Sequence, residues 1–213
     1  MPKLSVVVAV NSEIAFEELD GESLLSLSLS TAHNFGIETS LPNQLFVAGQ
    51  NLSEIRKATS GLNFDYQELR CNPSDPLELA AAVRDLDFEI IAIHDAQRPL
   101  TRCAQFHRAL EGLFGCDAVR PSMSFTETLK SLTEEQLLNQ TIDRTKVRRI
   151  SSPEIIRRSV IDFDGIESAW ALPLIDSARL SQVEADPESL RINTVEELTL
   201  MEAFLNWQQQ VAK

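Results

Sequence analysis

The residues whose types and spacing could do chemistry stand together in "FEIIAIHDAQRPL", Phe88 to Leu100. An apolar run closes on His94, Asp95 and Arg98, three titratable or charged side chains within five positions. A carboxylate directly after a buried strand suits Mg2+ beside a phosphate, because hard cations take oxygen ligands. An arginine three residues on can hold the phosphate itself through its forked guanidinium. The plainer reading, with Asp95 capping a loop and Arg98 pairing with it at the surface, stands level with the functional one on this motif alone. Elsewhere, Glu13, Glu17, Glu18, Asp20 and Glu22 place five carboxylates in ten residues. Such acidic runs read first as solvated faces. His33 and His107 fall in helical segments.

The elements that must position these residues alternate. "KLSVVVAV", "NQLFVAG", "NFDYQEL" and "FEIIAIH" read as strands. Between and after them, "GESLLSLSLSTAHNFG", "NLSEIRKATSG", "DPLELAAAVRDL" and "TRCAQFHRALEGLFG" read as helices, the third with Asp75 as N-cap and Pro76 at its first position. Repeated β-α units with apolar strands imply a mostly parallel sheet covered by helices on both faces, a three-layer α/β/α arrangement. Ligands of such sheets bind at the carboxyl edge of the strands, where Asp95 falls. Residues 122–150 alternate polar and apolar around a polar turn, which predicts a two-stranded arm that cannot bury both faces alone. Its apolar face would be Phe125, Leu129, Leu132, Ile142, Val147 and Ile150. Beyond it, "SPEIIRRSVI" and "LPLIDSARLSQV" read as helices and "SLRIN" as a strand. A terminal helix follows, with a capping box of Thr194 and Glu197. The whole, residues 1–213, reads as one domain carrying an excursion.

Composition narrows the function classes. The chain has 213 residues and a net charge of −13, which argues against nucleic acid as a partner, since phosphate contacts need a basic surface. Hydrophobic residues make up 43%, enough for a sizeable core. No apolar run is long enough to span a bilayer, and the amino-terminal run lacks a signal peptide's cleavage site. Cys71, Cys103 and Cys116 are odd in number and have no CxxC spacing, so the expectation is a reduced cytoplasm without a disulfide framework or zinc site. Asp143 to Arg158 holds six of the nineteen Lys and Arg, whereas none falls between Lys3 and Arg56.

With these motifs in hand, "HDAQRP" resembles the H-D-A-A-R-P signature of the 2-C-methyl-D-erythritol 4-phosphate cytidylyltransferases of the non-mevalonate isoprenoid pathway. Downstream, "SFTETLK" is similar to their D-T-I-K segment, with Thr128 and Lys130 matching. "TIDRTKVRRISSPEI" resembles the D-R…T-P-Q region, with Arg144 on the arginine and Ser152-Pro153-Glu154 in place of Thr-Pro-Gln. "LIDSARL" is similar to T-D-D-A-x-L, keeping Asp176. "DPESLRINTVEELTLMEAFL" resembles the family's ending, with Arg191 where the family has lysine. The likeness covers residues 88–205 well and the first 87 weakly. It implies a Rossmann-like nucleotidyltransferase domain that forms a homodimer through the arm. Asp95, Arg98 and Arg191 would be catalytic, and Thr128, Arg144 and Ser152 would bind a small phosphorylated substrate, with Thr128 and Arg144 reaching across from the partner. Mg2+ would sit on Asp95, with Asp186 as a second carboxylate.

The nucleotide half departs from the pattern. The family's A-A-G-x-G-x-R loop, with the P-K after it, lets backbone N–H groups and two cations reach a triphosphate. Here the matching place reads "VNSEIAFEELDGESLL", with no glycine before Gly21 and neither cation. The segment that reads cytosine is replaced by "CNPSDPLELAAAV". Loss of one preorganised donor costs roughly 10²–10³ in rate, and these losses compound. Two functions remain open. One is a cytidylyltransferase-like protein with absent or very weak activity, or with an altered substrate. The other is a pseudoenzyme that binds sugar phosphate or regulates an intact relative.

Overall fold

The computed structural model describes residues 1–211. Its centre is set by β1 (Leu4–Ala9), in which every residue is buried. A strand buried on both faces can be apolar throughout, and "LSVVVA" nearly is. It pairs in parallel with β4 (Asn43–Gly49) on one side and β6 (Ile90–Asp95) on the other, in a register that puts Ala9 level with Asp95. Strand β5 (Gln67–Arg70) extends the sheet beyond β4, and is shorter than the sequence predicts. Beyond β6 lie β11 (Glu154–Arg157), β7 (Ala118–Ser124), β10 (Arg148–Ile150) and β12 (Leu180–Glu184). The eight-stranded sheet is mostly parallel, but β11 runs antiparallel to both β6 and β7, and β10 antiparallel to β7.

Three expectations are corrected here. "SPEIIRRSVI" is not a helix; it forms β11 and a short 3-10 turn. Ile155 and Ile156 are both fully buried because this strand lies inside the sheet, and neighbouring apolar residues then serve opposite covered faces. "LPLIDSARLSQV" is likewise irregular chain leading into β12, and "SLRIN" is a loop rather than a strand. The two faces of the sheet are also unequally covered. Helices α1 (Leu24–Glu38), α2 (Leu52–Ala58) and α4 (Cys103–Glu111) pack on one through Leu25, Leu29, Phe35, Ile55 and Phe106. On the other, α3 (Pro76–Val83) shares the work with non-helical chain carrying Ile161, Trp170 and Leu172. Asp75 caps α3 as its sequence predicts, accepting from Leu77 N at 2.8 Å.

Between β1 and α1 the chain makes a 3-10 turn (Glu13–Phe16) and a small hairpin of β2 (Glu18–Leu19) and β3 (Glu22–Ser23). Asp20 and Gly21 both have positive φ, 55° and 83°, so Gly21 serves a two-residue hairpin turn rather than a helix border. The terminal helix α5 (Val195–Val211) packs through Leu198 and Met201 against Leu19 of this hairpin and Leu24 at the start of α1. Thr194 caps it through Glu197 N at 3.2 Å, but the Glu197 carboxylate reaches Asn193 N at 2.6 Å rather than Thr194. The segment after β7 carries a second hairpin, β8 (Lys130–Leu132) with β9 (Leu138–Thr141), and returns through β10.

Candidate functional site at the carboxyl edge of the sheet

Asp95 ends β6 with its side chain 14% exposed, and four donors surround it. Its Oδ1 accepts from Asn11 Nδ2 at 3.1 Å and from Gln97 N at 3.1 Å. Its Oδ2 accepts from Arg191 Nε at 2.6 Å, with Arg98 Nε at 3.9 Å. Asn11 is held in turn by Ser74, whose hydroxyl reaches its Oδ1 at 3.3 Å. Arg191 is braced on every nitrogen, with Nη2 donating to Gln97 Oε1 at 2.6 Å and Nη1 to Asn193. Gln97 is itself buried and donates to the Ile192 carbonyl at 2.6 Å. Arg98 donates to the carbonyls of Ser189 at 2.6 Å and Ile150 at 2.9 Å.

Beneath this layer the backbone of the strand end is fixed by a buried polar network. Asp95 N–H donates to Ser152 Oγ at 3.1 Å, and Ser152 Oγ lies 2.9 Å from His94 Nδ1. The other ring nitrogen of His94, Nε2, is buried without a hydrogen-bond partner. Burial pushes the His94 imidazole down from 6.5 to about 4, only partly offset by the nearby Asp95 carboxylate. Gln105, fully buried, donates to the Ser152 carbonyl at 2.6 Å and to Ser151 Oγ at 3.2 Å, and accepts from Asp186 N at 2.5 Å. The loop 186–193 is thereby sewn to the end of β6.

Asp95, Arg98, Ser152 and Arg191 therefore come together, lining a cavity of about 250 Å³ with Asn11, Pro73 and Glu154. Glu154 pairs with Arg120 at 3.0 Å and accepts from Ala171 N at 2.7 Å, which pins the loop over β11; burial nonetheless raises its pKa. Thr128 and Arg144 are not among the cavity's lining residues; both are exposed on the excursion, where Arg144 donates to the Thr126 carbonyl at 2.6 Å. Asp186, expected as a second metal carboxylate, is not brought to the cavity beside Asp95. One of its oxygens is taken by Arg108 at 2.6 Å. Its other oxygen is buried without a hydrogen-bond partner, yet no group of three His, Cys, Asp or Glu able to hold a metal occurs among the described residues. The donor set at Asp95 is cationic and amidic, so the residues present do not fit a divalent ion.

The sequence reading missed Asn11, Gln97 and Gln105. Asn11 had a signal: it stands two residues past the end of β1, whose Ala9 is level with Asp95. Gln105 had none, being one polar residue on a helix. Also missed was a groove of about 870 Å³ beside the cavity, floored by Leu190, Ile192, Met201 and Phe204 and fronted by Arg98, Arg149 and Arg191. Glu188, paired with Arg102, and Glu197 also line it, so the three guanidiniums stand in a groove of mixed charge. By contrast, Arg157 and Arg158, in the same basic stretch of sequence, clip the backbone carbonyls of Leu113, Cys116, Arg84 and Leu86.

Comparison with known proteins was made against this geometry. The family model described as IspD, 2-C-methyl-D-erythritol 4-phosphate cytidylyltransferase, matches residues 77–207. The enzyme of that name from Rhodococcus jostii (strain RHA1) is 29% identical over 140 residues, 62% of this chain and 61% of that protein. The one from Caldanaerobacter subterraneus subsp. tengcongensis is 26% identical over 134 residues, 58% of this chain and 59% of that one. The matched part thus spans about three fifths of these relatives. In fold, the 4-diphosphocytidyl-2C-methyl-D-erythritol synthase structure from Anaerococcus prevotii superposes with a TM-score of 0.78 at 14% identity, covering 96% of this chain and 99% of that one. The cytidylyltransferase structure from Thermus thermophilus gives 0.71 at 17% identity, covering 97% and 100%.

Proposed function

Because this chain belongs to the 2-C-methyl-D-erythritol 4-phosphate cytidylyltransferase family, we propose that it keeps the family's sugar-phosphate half and has lost efficient transfer of the nucleotide. The observation that carries this is the loop after β1. It contains no Lys or Arg, and two of its N–H groups are spent internally, Ala15 on the Ser12 carbonyl and Glu17 on that of Ile14. Glu13, Glu17, Glu18, Asp20 and Glu22 are all exposed there and repel a triphosphate. The family match begins at residue 77, while the likeness in fold covers nearly the whole chain, so the amino-terminal part keeps the shape without the family's sequence.

A small phosphorylated polyol is the ligand class that Arg98, Arg149 and Arg191 suit, because a phosphate takes forked donors well. By family likeness a homodimer would bring the partner's Thr128 and Arg144 to this end of the sheet, and the cytoplasm is the compartment that three unpaired cysteines fit. One observation favours a second reading, a regulatory subunit of an intact relative. Arg144 is exposed on an excursion that also exposes Leu132, Leu137 and Leu138, a surface able to serve another chain's site.

The test is pyrophosphate release from CTP with 2-C-methyl-D-erythritol 4-phosphate. The proposal expects none, or a rate more than about 10²-fold below that of an intact relative, the cost of one lost donor. A rate equal to the relative's overturns it.

A further inference from the structure

Three departures from the resembled pattern converge on one carboxylate. Gln97 stands where the signature has alanine, Arg191 where the family has lysine, and Asn11 where its glycine-rich loop runs. In the fold these three meet. Arg191 donates to Asp95 and Gln97 at 2.6 Å each, and Asn11 donates to the other oxygen of Asp95 at 3.1 Å. Gln97 adds its own N–H to that oxygen.

From this we infer that Asp95 is an ion-paired anchor in this protein and not a divalent-metal ligand. The guanidinium of Arg191, at the position of the family's lysine, is fixed on Oδ2 of Asp95, and any phosphate bound at this end is held without a metal ion. The inference rests on the family assignment above.

First, a magnesium ion demands near-octahedral oxygen coordination and keeps several waters, which calls for free carboxylate oxygens and room. Here both oxygens already accept hydrogen bonds. Second, Arg191 is not a side chain free to swing aside. Leaving Asp95 would also cost its bonds to Gln97 and Asn193, and would strand the carbonyl oxygen of a buried amide, a costly loss. Third, a metal would face two guanidiniums, one in contact with Asp95 and one 3.9 Å away, and like charges oppose its entry.

Manganese, a paramagnetic stand-in for magnesium, provides the test. Mn2+ is titrated into the full chain and into Asp95→Asn, and free Mn2+ is read by electron paramagnetic resonance. The two titrations are expected to coincide, any weak uptake by the exposed acids being common to both, and excess Mg2+ is expected to leave the Tm of the unsubstituted chain unchanged. The combined variant Asn11→Gly, Gln97→Ala, Arg191→Lys, which returns the three positions to the family pattern, is expected to gain one bound Mn2+ that further substitution of Asp95 by Asn removes. A stoichiometric Mn2+ on the unsubstituted chain that Asp95→Asn abolishes overturns the inference. So does a folded combined variant that takes up none, because the three side chains would then not be what excludes the metal. Should a variant fail to fold, the titration and the Mg2+ dependence of Tm on the unsubstituted chain still decide. Metal alone is the probe, so the outcome is independent of whether nucleotide is transferred.

Discussion

His94 illustrates how one buried side chain ties local chemistry to the stability of the site. It is fully buried, and its imidazole is held near 4 rather than 6.5. The unfolded chain therefore binds a proton that the folded chain refuses between those values, so stability rises with pH across that window and is lost as pH falls through it. The difference makes this loss roughly 3 kcal/mol in total, as an order of magnitude. Unfolding free energy measured by urea titration at steps from pH 7 to pH 4 is expected to fall more steeply for the natural chain than for His94→Gln. Parallel curves would show that His94 takes its proton as readily in the fold as in the unfolded chain. Asp95, Arg98 and Arg191 were legible as a group because a strand end, a charged triplet and a family likeness pointed to the same edge of the sheet. What could not be read was their mutual satisfaction. Charge and spacing in sequence do not say that a carboxylate meets two arginines before any ligand does, nor that Gln97 braces one of them.

At the scale of elements, the β-α alternation of the first half was legible because local signals agreed: caps at Asp75, buried runs of Val and Ile, glycine near helix ends. The second half was not, since its strands lie within or beside an existing sheet and take their identity from neighbours distant in sequence. "EIIR" is too short for periodicity to separate a buried strand from a helical turn. Strand β11 is the piece that matters most, for it seals β6 to β7 and carries Glu154 beside the cavity. Ile155, wholly buried there, belongs to the larger core cluster with Phe106 and Val119. Replacing it by alanine is expected to cost about 2–5 kcal/mol in unfolding free energy, through lost burial and the cavity left behind. A change under about 1 kcal/mol would mean that β11 is not an interior strand.

For the whole molecule, the excursion after β7 leaves Leu132, Leu137, Leu138 and Ile142 exposed, at 51%, 64%, 77% and 38%. A two-stranded hairpin with such a surface is marginal by itself, and a closed two-fold pairing is the commonest way to cover it. Light scattering is expected to give the mass of two chains at tens of micromolar. Leu137→Ser with Leu138→Ser should shift it toward one chain; because both side chains are already exposed, the fold itself should lose little. A natural chain of monomer mass would contradict this. No helix of the described residues is long and apolar enough to cross a membrane.

Whether the loop after β1 still accepts a nucleotide is read from its affinity for CTP. Isothermal titration with CTP, in the presence of Mg2+, is expected to give no saturable heat at micromolar concentrations. The exposed acids of residues 13–22 repel the triphosphate, and the N–H groups of Ala15 and Glu17 bond within the turn. Micromolar affinity for CTP would contradict the account.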